Sequence, residues 1–313
     1  MSLLSSIYGS GVKLRNALYD RQALPVNRLK GPVISVGNLS VGGSGKTPFV
    51  LLLGELLKQR SIPFDILSRG YGRSTRGVAL VDPAGTAQQF GDEPVLLARR
   101  LGVPVLVGES RYQAGTFAER KFGPHFHLLD DGFQHRSLAR DFEIVVLTSE
   151  DTTDRLLPAG RLREPLTSLA RADAVVLSSA VPADQLELKN TVVWQVTRGI
   201  APTSVPNRPV AFCGIARPQS FFSQLRMAGI EPAAETSYSD HHAYTAADIQ
   251  RLMALRRQVG GGGFVTTEKD SVNLGNLTAR LDPLAVAVVT MELANSANAM
   301  DTMLRTIRER KRG

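Results

Sequence analysis

Short apolar runs rich in Val, Ile and Leu recur along the first part of the chain, at residues 33–36, 64–67, 103–107, 126–129, 144–147 and 174–177. The runs are mostly apolar instead of alternating regularly with polar residues, the pattern of a strand buried on both faces. Helix-length stretches separate the runs. This predicts an α/β fold: βαβ units doubly wound around a mostly parallel sheet. Residues 198–208 are rich in Pro and polar residues and lack periodicity, which predicts a linker. A smaller αβ pattern follows, with strands over 209–213, 264–266 and 285–290 and a helix over 219–227. Thr245 and Asp248 form a capping-box pattern before a helix over 246–258. The expected organisation is a larger unit over residues 1–200 and a smaller C-terminal αβ unit over 201–313 that closes a cleft.

Composition narrows the class. With 43% hydrophobic and 21% charged residues, the chain reads as packed and globular. No run approaches the ~18 apolar residues of a spanning helix, and no secretory signal is visible. The single cysteine, Cys213, excludes an internal disulfide and Cys-based zinc sites and fits a reducing compartment. The net charge of +8 sits at the two ends. Residues 1–30 hold five Lys or Arg and one acid, residues 305–313 again five and one, and the rest balances. Such ends suit an anionic membrane surface or nucleic acid, or are simply solvated. Near the N-terminus, Leu3, Leu4, Ile7, Tyr8, Val12, Leu14 and Leu18 form an apolar stripe among Lys13, Arg15 and Arg21. This predicts either an interfacial amphipathic helix or one docked on its own domain.

The densest chemical signal follows the first run. Gly37-Asn38-Leu39-Ser40-Val41-Gly42-Gly43-Ser44-Gly45-Lys46-Thr47-Pro48 leads into an apolar helical stretch. Strand, glycine-rich loop and helix is the context of a P-loop. Val41, Gly42, Gly43, Ser44 and Gly45 would turn backbone N–H groups towards phosphate oxygens at a helix N-terminus. Lys46 would reach the β- and γ-phosphates and Thr47 would offer its hydroxyl to Mg²⁺. Pro48 lies in the first turn, where a missing N–H costs little. Ser40 stands where the strict G-x-x-x-x-G-K-[ST] pattern has its first glycine. A metal-binding carboxylate is expected after a neighbouring strand. The run at 126–129 ends in Asp130-Asp131, with Asp130 the expected Mg²⁺ ligand and Asp131 a second ligand or water holder.

An acceptor also needs a base. Polar clusters lie at expected strand-to-helix junctions, where parallel sheets place their sites: Ser68-Arg69-Gly70-Tyr71-Gly72-Arg73, Gly91-Asp92-Glu93-Pro94, Gln134-His135, a stretch over 157–165 and Asp240-His241-His242. Adjacent histidines seldom both reach one ion, so the last cluster reads as a His polarising a carboxylate base.

In this order, these motifs resemble the tetraacyldisaccharide 4'-kinase family. The resemblance runs from about Arg21 to Glu292 and includes Leu157-Pro158-Ala159-Gly160, Leu162-Arg163-Glu164-Pro165 and Val265-Thr266-Thr267-Glu268-Lys269-Asp270. It implies transfer of the ATP γ-phosphate to the 4'-hydroxyl of a tetraacylated glucosamine disaccharide 1-phosphate. It also implies work on the cytoplasmic face of the inner membrane, with the basic N-terminus at the anionic surface. By this resemblance Lys46 holds phosphate, Thr47 and Asp130 serve Mg²⁺, Asp92 is the base and His241 tunes it. Asp131, His135, Arg111, Arg163 and Glu164 are further active-site residues.

Two other classes compete. A P-loop ATPase or GTPase switch needs a base-reading element, and no N-K-x-D guanine reader is present. A nucleic-acid binder would use the basic ends, but no RNP-like motif or Cys/His finger supports one, so no nucleic-acid partner is expected.

Overall fold

The computed structural model describes residues 3–178, 181, 186, 188, 191–202 and 204–312. Their strands form a 12-stranded mixed sheet. The first set is β1 (Val33–Gly37), β2 (Phe64–Ser68), β3 (Ala79–Leu80), β4 (Val105–Val107), β5 (Phe126–Asp130), β6 (Phe142–Leu147), β7 (Ala174–Ser178) and β8 (Val192–Pro202). The second is β9 (Val210–Cys213), β10 (Ala234–Ser237), β11 (Phe264–Thr267) and β12 (Leu284–Leu293). Across the sheet the order is β10-β9-β11-β12-β8-β7-β6-β1-β5-β2-β4-β3. All neighbours are parallel except two pairs, the β8–β12 junction and the β3 edge.

The apolar runs became strands because helices cover both faces. On one face α2 (Lys46–Gln59), α4 (Asp92–Leu101) and the C-terminal α9 (Ser296–Arg312) contribute Phe49, Leu53, Val95, Leu97, Met300 and Met303 to one core with Ile34, Leu128 and Phe142. On the other face, Ala114 and Ala118 of α5 (Arg111–Phe122) pack with Leu29 and Leu129. β1 and β2 are buried at every residue. In the second half, Phe212, Ile249, Leu252 and Phe264 form a core between the sheet and α7 (Ala246–Val259). The capping box of α7 forms as expected from Thr245 and Asp248.

The C-terminal region differs from expectation. Residues 198–202 of the expected linker are strand, paired in β8 against β12 from Val196↔Leu293 to Pro202↔Ala287. The expected unit boundary at 200/201 therefore falls within β8. α9 lies in the core of the first half, near the stacked Phe142 and Trp194 (5.8 Å between centroids). The basic end is docked helix: Arg310 pairs with Asp173 at 2.6 Å and Lys311 lies 3.6 Å from Asp141.

Met300 is fully buried in this core. Met300→Ala is expected to cost roughly 2–5 kcal/mol, read from urea unfolding. A loss below about 1 kcal/mol would show that α9 does not carry the core of the first half.

Candidate active site

Strand order places the site. β1 sits where the connections change direction: β5 lies on one side and β6 on the other. Ligands of open α/β sheets bind beyond the carboxyl ends of strands at such a switch point. The glycine-rich loop leaves β1 there. Gly42, Gly43 and Gly45 have φ of 73°, 54° and 83°, the left-handed region that glycine enters without strain. Lys46 opens α2 with Thr47 and Pro48 beside it. The loop amides and the helix dipole therefore share one end of the helix, with the geometry of an anion cradle.

Asp131, Arg163 and the neutral amide of Asn38 close around Lys46. Its Nζ donates to Asn38 Oδ1 at 3.0 Å and lies 3.4 Å from Asp131. Arg163 donates to both Asp131 oxygens, at 3.0 and 2.8 Å, and also reaches Asn38. Burial works to raise the Asp131 pKa, but Lys46 and Arg163 outweigh it and hold the carboxyl well below its usual range. Asp131 takes φ 51°, a strained value for a non-glycine residue that turns its side chain back towards the loop.

Asp130 ends β5, opposite Val36 of β1. Ser68 at the end of β2 donates to Asp130 Oδ2 at 3.0 Å. Burial, then Glu93 and Asp131, push the Asp130 carboxyl up to about 7, against Lys46. Its Oδ1 is buried with no hydrogen-bond partner among the described residues. A buried carboxylate with a free oxygen, next to a phosphate cradle and a Thr hydroxyl, fits a hard divalent cation. Arg111, the first residue of α5, is buried beside it and donates to Gly108 O at 3.2 Å and Asp130 O at 3.5 Å. Burial lowers Arg111 to about 10 despite the two aspartates. His135 sits nearby with its Nε2 3.2 Å from Ser137 Oγ. Burial and the charges of Arg111, Arg140 and Arg69 pull it down to about 4, so it is neutral.

The second cluster joins the two halves of the chain. Gly91, at φ 91°, ends the preceding turn where a Cβ would meet Tyr71 O at 3.0 Å, and Asp92 opens α4. His241, in the left-handed region at φ 57°, brings Nδ1 to 2.8 and 3.0 Å from the Asp92 oxygens. Asn273 of α8 (Glu268–Leu274) donates to Asp92 at 3.1 Å. Lys269 Nζ lies 3.2 Å from His241 Nε2, 3.3 Å from Asp240 and 3.6 Å from Glu93. The Asp92 pKa is raised by burial, but His241 and Lys269 bring it below the ordinary value. For His241 burial lowers the pKa, while the hydrogen bond to Asp92 raises it above the ordinary value on balance. Glu93, which acts on both Lys269 and Asp130, ties this cluster to the phosphate cradle. His242 faces elsewhere, 3.1 Å from Asp248 and stacked on Tyr238.

Glu164 is not among these groups. It is buried against Asn16 (2.7 Å) and Arg171 (2.9 Å), where it anchors the segment that carries Arg163. Burial raises its pKa, but Arg171 and Asn16 bring it below the ordinary value. Several residues of these clusters were given no role from sequence: Asn38, Ser68, Lys269 and Asn273, and two arginines over the loop. A Cβ on Gly43 would meet the Arg217 side chain at 2.9 Å, and one on Gly45 would lie 3.8 Å from Arg198 Nη1. Ser68 begins one of the junction clusters read from the sequence, and Lys269 stands at a further strand-to-helix junction that the same rule covers. The arginines follow only from how the halves meet.

The family profile described as "LpxK: Tetraacyldisaccharide-1-P 4'-kinase" matches residues 1–308. A tetraacyldisaccharide 4'-kinase of Koribacter versatilis is 49% identical, with both chains covered completely. One of Geobacter metallireducens is 38% identical over 94% of this chain and 93% of its own. A crystal structure of LpxK from Aquifex aeolicus in complex with ATP superposes with a TM-score of 0.79 at 34% identity, covering 97% of each chain. By the profile match and by full-length identity to named relatives, this chain belongs to the tetraacyldisaccharide-1-P 4'-kinase family.

Proposed function

We propose that this chain is an ATP-dependent lipid kinase. It moves the γ-phosphate of ATP to the 4'-hydroxyl of tetraacyldisaccharide 1-phosphate, a step of lipid A biosynthesis. The observation that carries this reading is the convergence of a phosphate cradle and an Asp–His pair, from opposite halves of the chain, on one cleft. The ATP complex of the Aquifex aeolicus relative supports ATP as the donor.

In this reading the loop amides, Lys46 and the arginines at 198 and 217 hold the triphosphate. Lys46 exchanges Asp131 for phosphate oxygens. Thr47 and Asp130 would hold Mg²⁺, which would supply charge neutralisation to the transferring phosphate. The 4'-oxygen forms its bond to the γ-phosphorus as the bond to the bridging oxygen breaks and ADP leaves. The hydroxyl proton passes to the Asp92–His241 pair. Neutral His241, its Nδ1–H donated to Asp92 and its Nε2 accepting from Lys269, keeps the carboxylate charged and aimed. Arg111, Arg163 and neutral His135 line the acceptor side. The basic start of the second half closes over the loop, so the C-terminal unit acts as the cover of the cleft.

The N-terminal helix supports a membrane partner. α1 (Leu3–Asp20) docks by Ser5, which donates to Leu156 O, by Tyr8, which donates to Arg163 O, and by Asn16. Its outward face is apolar: Leu3, Leu4, Ile7 and Leu14 are 77, 64, 61 and 63% exposed. No helix among the described residues is long and apolar enough to cross a membrane. We therefore place the protein peripherally on the cytoplasmic face of the inner membrane, with this face in the anionic surface and the acceptor's acyl chains left in lipid.

The direct test is transfer of label from γ-labelled ATP into detergent-dispersed tetraacyldisaccharide 1-phosphate in the presence of Mg²⁺. Asp92→Asn is expected to lower kcat by about 10²–10⁴-fold, and Lys46→Ala to abolish nucleotide-dependent transfer. ATP hydrolysis without labelled lipid would overturn the reading.

The pH profile has a definite sign. The base-competent state of the pair has neutral His241, and its pKa lies above 6.5. kcat is expected to rise with pH through a titration above 6.5 and then level off. His241→Ala should remove that inflection and leave a lower, flatter profile; an inflection that stays in place would exclude His241 as its source. For the membrane face, Leu4→Ser and Ile7→Ser are each expected to weaken partition into anionic vesicles by about tenfold. Unchanged flotation of the double variant would rule out α1 as the anchor.

A further inference from the structure

One buried cluster takes no part in phosphate transfer. It lies at the amino-terminal end of the β2–β5 pair, the opposite end from Asp130. Asp65 of β2 stands in register with His127 of β5. His125 and His127 are two residues apart, so they share a face of the strand. Glu119 comes from α5.

The contacts are close and nearly dry. Asp65 Oδ2 lies 2.8 Å from His125 Nε2, and both Asp65 oxygens lie 2.9 and 3.0 Å from His127 Nδ1. His127 Nε2 faces Glu119 Oε1 at 3.4 Å, and the Gly31 amide donates to that same oxygen at 2.7 Å. The His125 ring also hydrogen-bonds the Phe122 backbone. Asp65 and His127 side chains are fully buried, and His125 is 10% exposed.

Both sides of each ring therefore meet acceptors. A neutral imidazole has one N–H, so each ring turns a lone pair towards an oxygen unless something positive sits between them. Two imidazoles and a carboxylate from neighbouring strands are a donor set for a zinc-class ion. Their donor atoms lie within 4.8 Å of one another. A tetrahedral zinc site spaces its donors by roughly 3.3 Å, within reach of small side-chain rotations. The far nitrogen of His127 is held by a carboxylate, as in sites where an outer carboxylate orients a ligating histidine. A surface cleft of about 560 Å³, lined by His125, Phe122 and Phe64, provides an entry path and room for a water as fourth ligand.

We propose that Asp65, His125 and His127 bind a divalent transition-metal ion of the zinc class, with Glu119 orienting His127, and that the ion clamps β2 to β5 at the end of the sheet away from the phosphate cradle.

The test is equilibrium dialysis of the full chain, stripped with chelator, against Zn²⁺ near neutral pH. Binding of Co²⁺, followed by its d–d absorption, reports the geometry. One tightly held equivalent, a tetrahedral Co²⁺ spectrum and a higher thermal midpoint with Zn²⁺ are expected. His125→Gln, at the rim of the cluster and checked for native circular dichroism, should lose the bound equivalent. Glu119→Gln should bind about 10–100-fold more weakly. Asp130→Asn separates this site from the acidic pair at the phosphate cradle and should keep the equivalent. The proposal falls if the wild-type chain retains no stoichiometric Zn²⁺. It falls equally if His125→Gln retains it or if Asp130→Asn loses it; in the first case protons alone hold the two rings.

Discussion

The antiparallel pairing of β8 with β12 is the constraint on which the active site depends. Among the described strands it is the one place, apart from the short β3 edge, where the sheet reverses direction. In a flat sheet that reversal would send the carboxyl ends of β9, β10 and β11 away from those of β1 and β5. Real sheets turn by roughly 20–25° per strand. The five steps from β1 to β11 thus turn the sheet by more than a right angle, and the two sets of carboxyl ends close on each other. The consequence is visible atom by atom. Arg217, just after β9, lies against Gly43; Met291 of β12 lies near Gly45; His241, after β10, reaches Asp92. Since β8 and β12 carry both the junction and part of the loop's surroundings, a slip in their register would displace the cover and the Asp92 partner together.

The electrostatics of the cleft follow from this enclosure. Each lysine is held by carboxylates, Lys46 by Asp131 and Lys269 by Asp92, Glu93 and Asp240. The two lysines are thus paired before any ligand arrives, which lets them be buried at all. The balance is uneven in a useful way. Asp131 has two cations and stays ionised, whereas Asp130, with Ser68 and distant Lys46 as its support, is pushed up to about 7. That second carboxylate keeps one oxygen, Oδ1, without a hydrogen-bond partner among the described residues. Asp92 is held ionised by a histidine whose own proton is shared with it, so it is the neighbouring ring, and not the carboxylate alone, that sets the proton affinity of the pair.

What could be read from the chain and what could not divide along a physical line. Strands β1, β2, β5, β6 and β7 are buried on both faces, so most of their residues are apolar and their positions were legible. The glycine loop was legible because positive φ demands glycine and because it sits between a strand and a helix. β8 was not. Gln195, Thr197 and Arg198 interrupt its apolar residues, and the Pro-rich stretch that looks like a linker begins inside the strand. Asp92 and His241 are 149 positions apart, and no local pattern pairs them. The surroundings of Glu164 were not legible either: Arg163 beside it turns to Asp131, while Glu164 itself meets Asn16 and Arg171. His125 and His127 were hidden for a related reason. Flanking Phe126 in an apolar run, they look like core positions, and only the register with Asp65 makes them a cluster.

The same segment also links the two ends of the proposed reaction. α1 packs through small residues: Ser5 is buried, and a Cβ on Gly9 would press on Leu156 at 2.9 Å. That choice of docking face is what turns Leu3, Leu4, Ile7 and Leu14 outward, since a helix held by its large apolar residues would present its polar side instead. Tyr8 binds the carbonyl of Arg163, and Asn16 binds Glu164. The guanidinium of Arg163 in turn reaches Asp131 beside Lys46. The apolar face and the phosphate cradle are therefore two sides of one short piece of backbone. An enzyme whose acceptor is anchored in lipid has to bring a headgroup to the nucleotide without extracting the acyl chains. A surface helix that is bolted to an arginine of the active site keeps those two distances fixed relative to each other. This is a geometric reason for Gly9 in a helix that would be more stable without it.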